Sequence, residues 1–224
     1  MNSLLVDGVP RSRSVDTSVS ALLYLVLLVV ALGSVRAMGE IVQPVTKQPV
    51  ATFVALALVG VPTLLQLTVA PELLERLQRD PDPIGRGQVW RLVSALVVQD
   101  AGVLGAAFNL AALAVVGIAA ERVWGTRRWV LIAVLSGVGS ELWGLVVQPV
   151  GAGNSVVVFG LAASLASVAV RSGPRKARGL GALVLTIALV LLATGDIHGG
   201  AATIGAVLGL VLWPIPSPGR ATTR

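Results

Sequence analysis

The sequence contains no cysteine and a single histidine among its 224 residues. The lack of cysteine excludes disulfides, zinc–thiolate sites and thiol catalysis, and one histidine excludes a metal site built from several histidines. Charged residues make up only 12% of the chain, whereas a typical soluble domain is about one quarter charged. Together with a mean hydropathy of +0.86, this scarcity excludes a disordered protein, a coiled coil and an ordinary soluble enzyme, and indicates a polytopic membrane protein.

Charged residues divide the sequence into apolar stretches of the length that crosses a bilayer. A transmembrane helix needs about 20 apolar residues, with about 17 as the lower limit. Seven stretches meet this requirement or come close to it: 17–35, 48–71, 101–120, 129–148, 155–170, 179–195 and 197–213. The sequence therefore predicts an all-α, polytopic membrane helix bundle in which one extra N-terminal transmembrane helix precedes six others.

An interrupted stretch between the fourth and fifth segments predicts a cavity. Residues 142–170 carry no charge, but Pro149, Gly151, Gly153 and Asn154 are turn and breaker residues. We expect one helix to end near Gln148 and the next to run over 155–170, a length of about 24 Å, which is shorter than the hydrocarbon layer. Non-helical backbone at that depth must be surrounded by protein or by a water-filled cavity. The loop 151–155 is therefore predicted to form the floor of a cavity.

The distribution of basic residues predicts the orientation of the helices. The segments 121–128 and 171–178 carry six arginines and one lysine, and placing both in the cytoplasm puts 11 of the 17 basic residues there. The N-terminus then lies outside and the C-terminus is cytoplasmic, in the cell membrane. The net charge of +6 is thus assigned to cytoplasmic loops rather than to nucleic-acid binding. A cleaved signal peptide ending near Ala37 is the alternative for the first helix, but it would place both basic segments outside.

The long connection at residues 70–100 is predicted to be structured. It exceeds the usual length of a simple connector and contains an amphipathic run at 71–79 and an apolar patch at 92–98. We expect it to fold against the membrane on the external side.

Three polar residues fall at related depths in the predicted helices. Ser155 and His198 each begin a segment that runs inward from the external side, and Asn109 lies about 12 Å into a third such segment. A serine, a histidine and an amide donor are the parts of a serine hydrolase: nucleophile, general base and oxyanion donor. The same residues also occur as structural groups, because serine and asparagine join membrane helices and histidine is common near their ends.

Five short motifs, in order along the chain, carry a resemblance to a known family. They are Trp90-Arg91 after Gly87; Phe108-Asn109; Glu121-Arg122 with Gly125; Gly153-Asn154-Ser155 with Gly160-Leu161; and His198-Gly199-Gly200 with Gly205. In this order and on these helices, the motifs resemble the rhomboid family of intramembrane serine proteases. The resemblance covers about residues 48–213. It implies a tail, extra transmembrane helix and loop at 1–47, a six-helix core at 48–213, and a proline-rich cytoplasmic tail at 214–224.

The resemblance implies a role for each matched residue. Ser155 would be the nucleophile, His198 its base, and the Asn109 side chain with the Ser155 N–H would hold the oxyanion. Gly153 would let the loop approach a substrate closely. Three glycines would let the helices pack closely, namely Gly160, Gly200 and Gly205. Four further residues would be structural: Trp90, Arg91, Glu121 and Arg122. Phe159, one helical turn beyond Ser155, is placed to stack on the imidazole.

The sequence departs from the family pattern near the site. Gly105 stands where the family often has an oxyanion-binding histidine, Asp100 where another histidine is common, and Val156 where a glycine usually follows the nucleophile. Loss of one oxyanion donor typically costs about 10²–10³ in rate. These differences predict either a slow or narrowly specific protease or a non-catalytic protein.

Other charged residues have several possible roles. Glu141 lies at mid-depth, where a carboxyl group is costly, and is expected to be neutral or bonded to Ser140, Trp143 or another helix. Glu121 is expected to pair with Arg127 or Arg128, and Arg91 to brace the external loop. Asp196 is a candidate to orient His198, although the family resemblance implies a serine–histidine dyad.

The sequence thus favours an intramembrane serine endopeptidase that cleaves transmembrane segments of other proteins, without cofactor or metal. Its partners would be transmembrane substrates and the lipid bilayer, and no nucleic acid. The first alternative is an inactive rhomboid-like protein that binds or escorts transmembrane helices; Gly105 and Val156 favour it, and the presence of both Ser155 and His198 argues against it. A small-solute transporter is the second alternative and has only Glu141 in its favour.

Overall fold

The computed structural model describes residues 17–39, 44–46 and 48–213. The predictions for the N-terminal tail up to residue 16 and for the tail at 214–224 lie outside these residues. The described chain is α-helical, as predicted. Its helices are α1 (Thr17–Met38), α2 (Val50–Thr68), α3 (Leu73–Leu77), α4 (Pro81–Gly85), α5 (Arg91–Ser94), α6 (Gly102–Val147), α7 (Ser155–Ser172), α8 (Arg175–Ala193) and α9 (Ile197–Leu212), with a 3₁₀ turn at Ala95–Val97.

Five of these helices are long and apolar enough to cross a membrane, namely α1, α2, α6, α7 and α8, and α9 is a shorter apolar helix of 16 residues. The 46 residues of α6 would span about 69 Å if straight, twice the thickness of the hydrocarbon layer. They do not form one straight helix, because Gly125 has φ 71° and ψ 161°.

The backbone reverses direction at Gly125. The indole N–H of Trp129 donates to the carbonyl oxygen of Gly117 at 3.0 Å, although twelve residues of straight helix would separate them by about 18 Å. The left-handed φ of Gly125 is a conformation that a residue with a Cβ rarely adopts. With α6 divided into two arms at this glycine, the described residues contain all seven predicted apolar segments.

Helix α7 lies at the centre of the bundle. It packs against α1, α6, α8 and α9, and most of its residues are buried, many of them small, such as Ala162, Ala163 and Ser164. Small side chains let helices approach closely in a membrane, where packing rather than the hydrophobic effect holds helices together. Because α7 begins at Ser155, this central helix carries the serine at its N-terminal end.

The extra helix α1 packs against α7 and α8, with a smaller contact to α6. Its buried face includes Leu27, Leu28 and Ala31, whereas Leu22 and Val29 on the other face are about 60% exposed. Helix α1 is therefore an integral part of the bundle rather than an isolated anchor.

The long connection between α2 and α6 is structured, as expected. It contains α3, α4, α5 and the 3₁₀ turn, and Asp80 caps α4 by accepting a hydrogen bond from the N–H of Asp82. An antiparallel bridge joins Arg79 to Gly151, which ties this connection to the loop that precedes α7.

Candidate active site

The loop before α7 presents Ser155 at the start of a helix. Helix α6 ends at Val147 and α7 begins at Ser155, so the predicted interruption is present, although α7 continues two residues beyond the predicted end at Val170. Gly153 has φ 143°, which only glycine adopts readily. The first N–H groups of a helix have no acceptor within it, so the N–H of Ser155 is available to bind an anion near its own side chain.

His198 lies next to Ser155 although 43 residues separate them in sequence. Its Nε2 atom is 2.9 Å from the Ser155 Oγ atom, which is hydrogen-bonding distance. Helix α9 brings His198 to this position by packing along α7. The two side chains therefore form a hydrogen-bonded pair.

Ser155, His198 and Asn109 line the same cavity, which has a volume of about 620 Å³. Its floor includes the loop at 151–153, as expected, while α1 and the first arm of α6 form two facing walls. The wall residues Leu25, Leu104 and Phe108 are at least 40% exposed. The part of the cavity that α1 and the first arm of α6 line is therefore apolar and partly exposed.

A buried amide network orients Asn109. The Asn109 Nδ2 atom donates to the Oε1 atom of Gln99 at 2.8 Å, and the Gln99 amide nitrogen donates to the Asn154 side chain at 2.8 Å. Gln66 holds Gln99 through two hydrogen bonds to its backbone. The amide of Asn109 has a second N–H, and Asn109 is one of the residues that line the cavity. Sequence reasoning missed Gln99, whose only signal was a polar residue directly after the apolar patch at 92–98.

Asp196 and Tyr24 also contact His198. The Asp196 Oδ1 atom is 2.8 Å from His198 Nδ1 and accepts a hydrogen bond from the His198 backbone N–H at 2.9 Å, while the Tyr24 hydroxyl donates to Asp196 Oδ2. Asp196 lies in the turn between α8 and α9. Burial raises its pKa, but hydrogen bonds from His198 and Tyr24 outweigh burial and hold the pKa below its usual range. The carboxylate is therefore ionised at neutral pH.

Aromatic rings surround the imidazole. The Phe159 ring centroid lies 4.6 Å from that of His198, as its spacing from Ser155 suggested, and the Tyr24 centroid lies 4.3 Å away. The two aromatic rings meet edge to face at 5.2 Å. Tyr24 was not anticipated from the sequence, because nothing in the nearly uniform apolar stretch of α1 indicates which helix it packs against.

Close helix packing holds the pair together. A Cβ placed on Gly205 would lie 2.0 Å from the Gly160 carbonyl oxygen, and one on Gly160 would lie 2.2 Å from the Ser136 Cβ. The backbones of α7 and α9 therefore touch at Gly160 and Gly205. Gly200 also lies at a close contact, because a Cβ there would lie 2.4 Å from Trp143 on α6. Gly200 thus packs closely against α6.

A buried ion pair accounts for Glu141. Its carboxylate accepts a hydrogen bond from the Arg79 guanidinium, and both side chains are almost fully buried. Arg79 also donates to the carbonyl oxygens of Gln148 and Pro149, at the start of the loop that carries the serine. Glu141 is thus bonded to the connection between α2 and α6, and the observation that favoured a transporter has a structural explanation. Arg79 was missed because its partner is 62 residues away.

The expected partner of Glu121 was wrong. Its buried carboxylate accepts hydrogen bonds from the backbone N–H groups of Ala51 and Thr52 and from the hydroxyls of Thr52 and Thr126, rather than pairing with Arg127 or Arg128. A carboxylate is favourable at a helix N-terminus, where free N–H groups carry partial positive charge. Glu121 therefore joins the start of α2 to the end of the first arm of α6.

The other residues named as structural differ in exposure. Arg91 is buried and donates to the carbonyl oxygens of Glu75 and Gln78 and to the Gln88 side chain. Trp90 is 54% exposed. The Arg122 side chain is exposed, and its carbonyl oxygen accepts a hydrogen bond from the Val45 N–H.

The structure shows the surroundings of the three positions that depart from the family pattern. A Cβ on Gly105 would lie 2.3 Å from the Ala101 Cβ, so a larger residue there requires the start of α6 to shift. Val156 is buried, with 2% of its surface exposed. Asp100 accepts a hydrogen bond from the Ala152 N–H at 2.9 Å and so fastens the cavity floor.

Comparison with known proteins agrees with the resemblance. Residues 86–215, more than half of the chain, match the rhomboid domain family. The chain is also 31% identical over 129 residues to the rhomboid protease GluP of Bacillus subtilis (strain 168), a match that covers 57% of this chain and 25% of that protein. The chain spans about a quarter of the length of this relative. The apolar helices and the family match together show that the chain is a multi-pass membrane protein that belongs to the rhomboid family.

Proposed function

We propose that this protein is an intramembrane serine endopeptidase that uses Ser155 and His198 to cleave transmembrane segments of other membrane proteins. The observation that carries the proposal is the 2.9 Å distance between Ser155 Oγ and His198 Nε2 within a cavity that residues of α1 and α6 help to line. A nucleophile within hydrogen-bonding distance of a base is the arrangement that activates serine. The similarity to the rhomboid protease GluP agrees with it.

In the proposed reaction, the Ser155 oxygen attacks a peptide carbonyl carbon of the substrate and its proton passes to His198 Nε2. The negative charge that develops on the carbonyl oxygen is held by the Ser155 N–H and the Asn109 amide. The carbon–nitrogen bond then breaks, and His198 gives its proton to the departing amine. Water completes the cycle by attacking the acyl–enzyme ester, losing its proton to His198 and releasing Ser155.

The cavity favours an unwound segment of a transmembrane helix as substrate. Its side walls are apolar, but Asn109, Ser155, Gln148 and Arg79 bring polar groups to its inner end. A helical substrate uses its carbonyl groups in its own hydrogen bonds, so the segment must unwind before Ser155 can attack. We therefore expect small or helix-breaking residues at the cleaved position of a substrate.

Covalent labelling tests this proposal directly. A fluorophosphonate is expected to label the purified wild-type protein but neither Ser155→Ala nor His198→Ala. Ser172→Ala, at the far end of α7 and bonded to Trp213, is the matched control and should label normally. Labelling that persists in Ser155→Ala would contradict the proposal.

The second candidate is an inactive helix-binding member of the family, and the close contact at Gly105 favours it. Glycine has no side chain, so the site lacks the additional oxyanion donor that the family resemblance implies. A larger residue at this position would require the start of α6 to shift. A folded wild-type protein that is not labelled, but that retains single-span proteins on purification, would favour this function over proteolysis.

A further inference from the structure

The imidazole of His198 bridges two side chains. Its Nε2 atom faces Ser155 Oγ at 2.9 Å and its Nδ1 atom faces Asp196 Oδ1 at 2.8 Å. In a neutral imidazole one nitrogen donates and the other accepts. An ionised carboxylate can only accept, so Nδ1 carries the proton and Nε2 is left to accept from the serine hydroxyl. Asp196 thus selects the tautomer that general-base catalysis requires.

The Asp196 carboxylate is held at both of its oxygens. Oδ1 caps α9 by accepting from the His198 N–H, and Oδ2 accepts from the Tyr24 hydroxyl. The second of these bonds comes from α1, a helix outside the six-helix core. Tyr24 also places its ring against the imidazole, at a centroid distance of 4.3 Å.

The position of Tyr24 is fixed independently of this hydrogen bond. Helix α1 buries Leu27, Leu28 and Ala31 in the core of the bundle and packs on α7 and α8. Helix packing over several turns therefore fixes the Tyr24 hydroxyl beside Asp196. A hydrogen bond from this fixed group restricts the carboxylate more than one from a flexible surface side chain would.

We infer that Asp196 and Tyr24 are positioning residues for His198, so that the site operates as a serine–histidine–aspartate triad braced by the extra helix α1. Asp196 fixes the tautomer and stabilises the imidazolium that forms when Ser155 attacks, and Tyr24 fixes Asp196. The effect on catalysis rests on the proposed function, whereas the effect on the tautomer does not.

A purely structural role for Asp196, as the cap of α9, is the competing explanation. Asp196→Ser separates the two, because serine is also a good N-cap residue but provides no carboxylate for Nδ1 or for Tyr24. Tyr24→Phe keeps the ring contacts and removes only the hydroxyl. Leu22→Ala is the matched control on α1, since Leu22 is 60% exposed.

The first experiment observes the tautomer. The sequence contains one histidine, so ¹⁵N-histidine labelling of an untagged chain in detergent micelles gives an imidazole spectrum that needs no assignment. At a pH at which the imidazole is neutral, the wild type and Leu22→Ala should show a protonated Nδ1. Asp196→Ser should move the proton toward Nε2, and Tyr24→Phe should do so in part. The same tautomer in the wild type and in both variants would overturn the inference.

The second experiment measures labelling of Ser155 against fluorophosphonate concentration. In this step an oxygen–phosphorus bond forms, fluoride leaves and the serine proton passes to Nε2. We expect the maximal rate to fall about 10- to 100-fold in Asp196→Ser and about 3- to 10-fold in Tyr24→Phe, with the half-saturating concentration unchanged. Loss of a cap alone would lower the unfolding temperature without this selective effect on rate.

The outcomes separate the two hypotheses. A wild type that is never labelled contradicts the proposed protease, while the tautomer spectra still test the positioning role. A wild type that is labelled, with both variants reacting at its rate, contradicts the positioning role and leaves the protease intact. If Asp196→Ser does not fold, Tyr24→Phe alone tests the inference. An unchanged labelling rate and an unchanged imidazole spectrum in that variant would contradict the positioning role of Tyr24.

Discussion

The contact between Gly160 and Gly205 makes the geometry of the site sensitive to one added methyl group. In Gly205→Ala the new Cβ would lie 2.0 Å from the Gly160 carbonyl oxygen. Carbon and oxygen that are not bonded to each other approach no closer than about 3 Å, so α7 and α9 must separate by about 1 Å at this point. Gly205 lies two helical turns beyond His198, and Gly160 lies five residues beyond Ser155.

A separation of about 1 Å that reaches the site would lengthen the 2.9 Å distance between Ser155 Oγ and His198 Nε2 to about 3.9 Å, beyond hydrogen-bonding distance. Misplacement of this size costs about 10²-fold in rate. Overpacking should also lower the free energy of unfolding by about 1–3 kcal/mol. We therefore expect slow fluorophosphonate labelling together with an earlier transition in detergent denaturation.

Two other glycines provide a graded comparison. A Cβ on Gly209 would lie 2.6 Å from the Ser164 carbonyl oxygen, whereas one on Gly179 would meet nothing within 4 Å. The effects should therefore decrease from Gly205→Ala through Gly209→Ala to Gly179→Ala, which is expected to be neutral or slightly stabilising. If Gly205→Ala and Gly179→Ala unfold alike and are labelled alike, the argument from close packing is refuted.

Three further predictions follow from the buried polar groups. Glu121→Gln should lower the free energy of unfolding by about 1–3 kcal/mol because charge-assisted bonds to α2 are lost, and denaturation that matches the wild type would contradict this. Glu141→Leu should lower the free energy of unfolding by about 3–5 kcal/mol because Arg79 stays buried without its partner. Adding Arg79→Met should recover most of that loss, and a double variant as unstable as the single one would count against the ion pair. Gln99→Leu should slow labelling about 10-fold because the Asn109 amide loses its orientation, a result that an unchanged labelling rate would exclude.

Much of the fold follows from local features of the sequence. The apolar segments and the break between Gln148 and Ser155 could be predicted because charges and helix-breaking residues mark them directly. The meeting of Ser155 with His198 could be anticipated because each begins a helix on the same side of the bundle. These inferences need only the lengths, directions and ends of helices.

Pairings between distant segments could not be predicted in the same way. Lipid and protein surroundings are both apolar, so the α1 sequence does not indicate that Tyr24 faces His198. The expected partners of Glu121 were arginines close in sequence, but its carboxylate is satisfied by backbone N–H groups that the start of α2 exposes. Arg79 contacts Glu141 only because the connection between α2 and α6 folds back over α6. Each of these contacts depends on tertiary packing.

The contact between Tyr24 and Asp196 also has a consequence for the order of assembly, because 172 residues separate the two in sequence. Translation produces α1 well before its packing partners α7 and α8 and before the aspartate that Tyr24 contacts. Ser155 itself is made before the histidine that faces it. A partly synthesised chain therefore holds a serine with no base and a tyrosine with no acceptor. If Ser155 acts as the proposed nucleophile, hydrolysis can begin only once α9 and its histidine are in place, so a partly synthesised chain could not cleave newly inserted membrane proteins beside it.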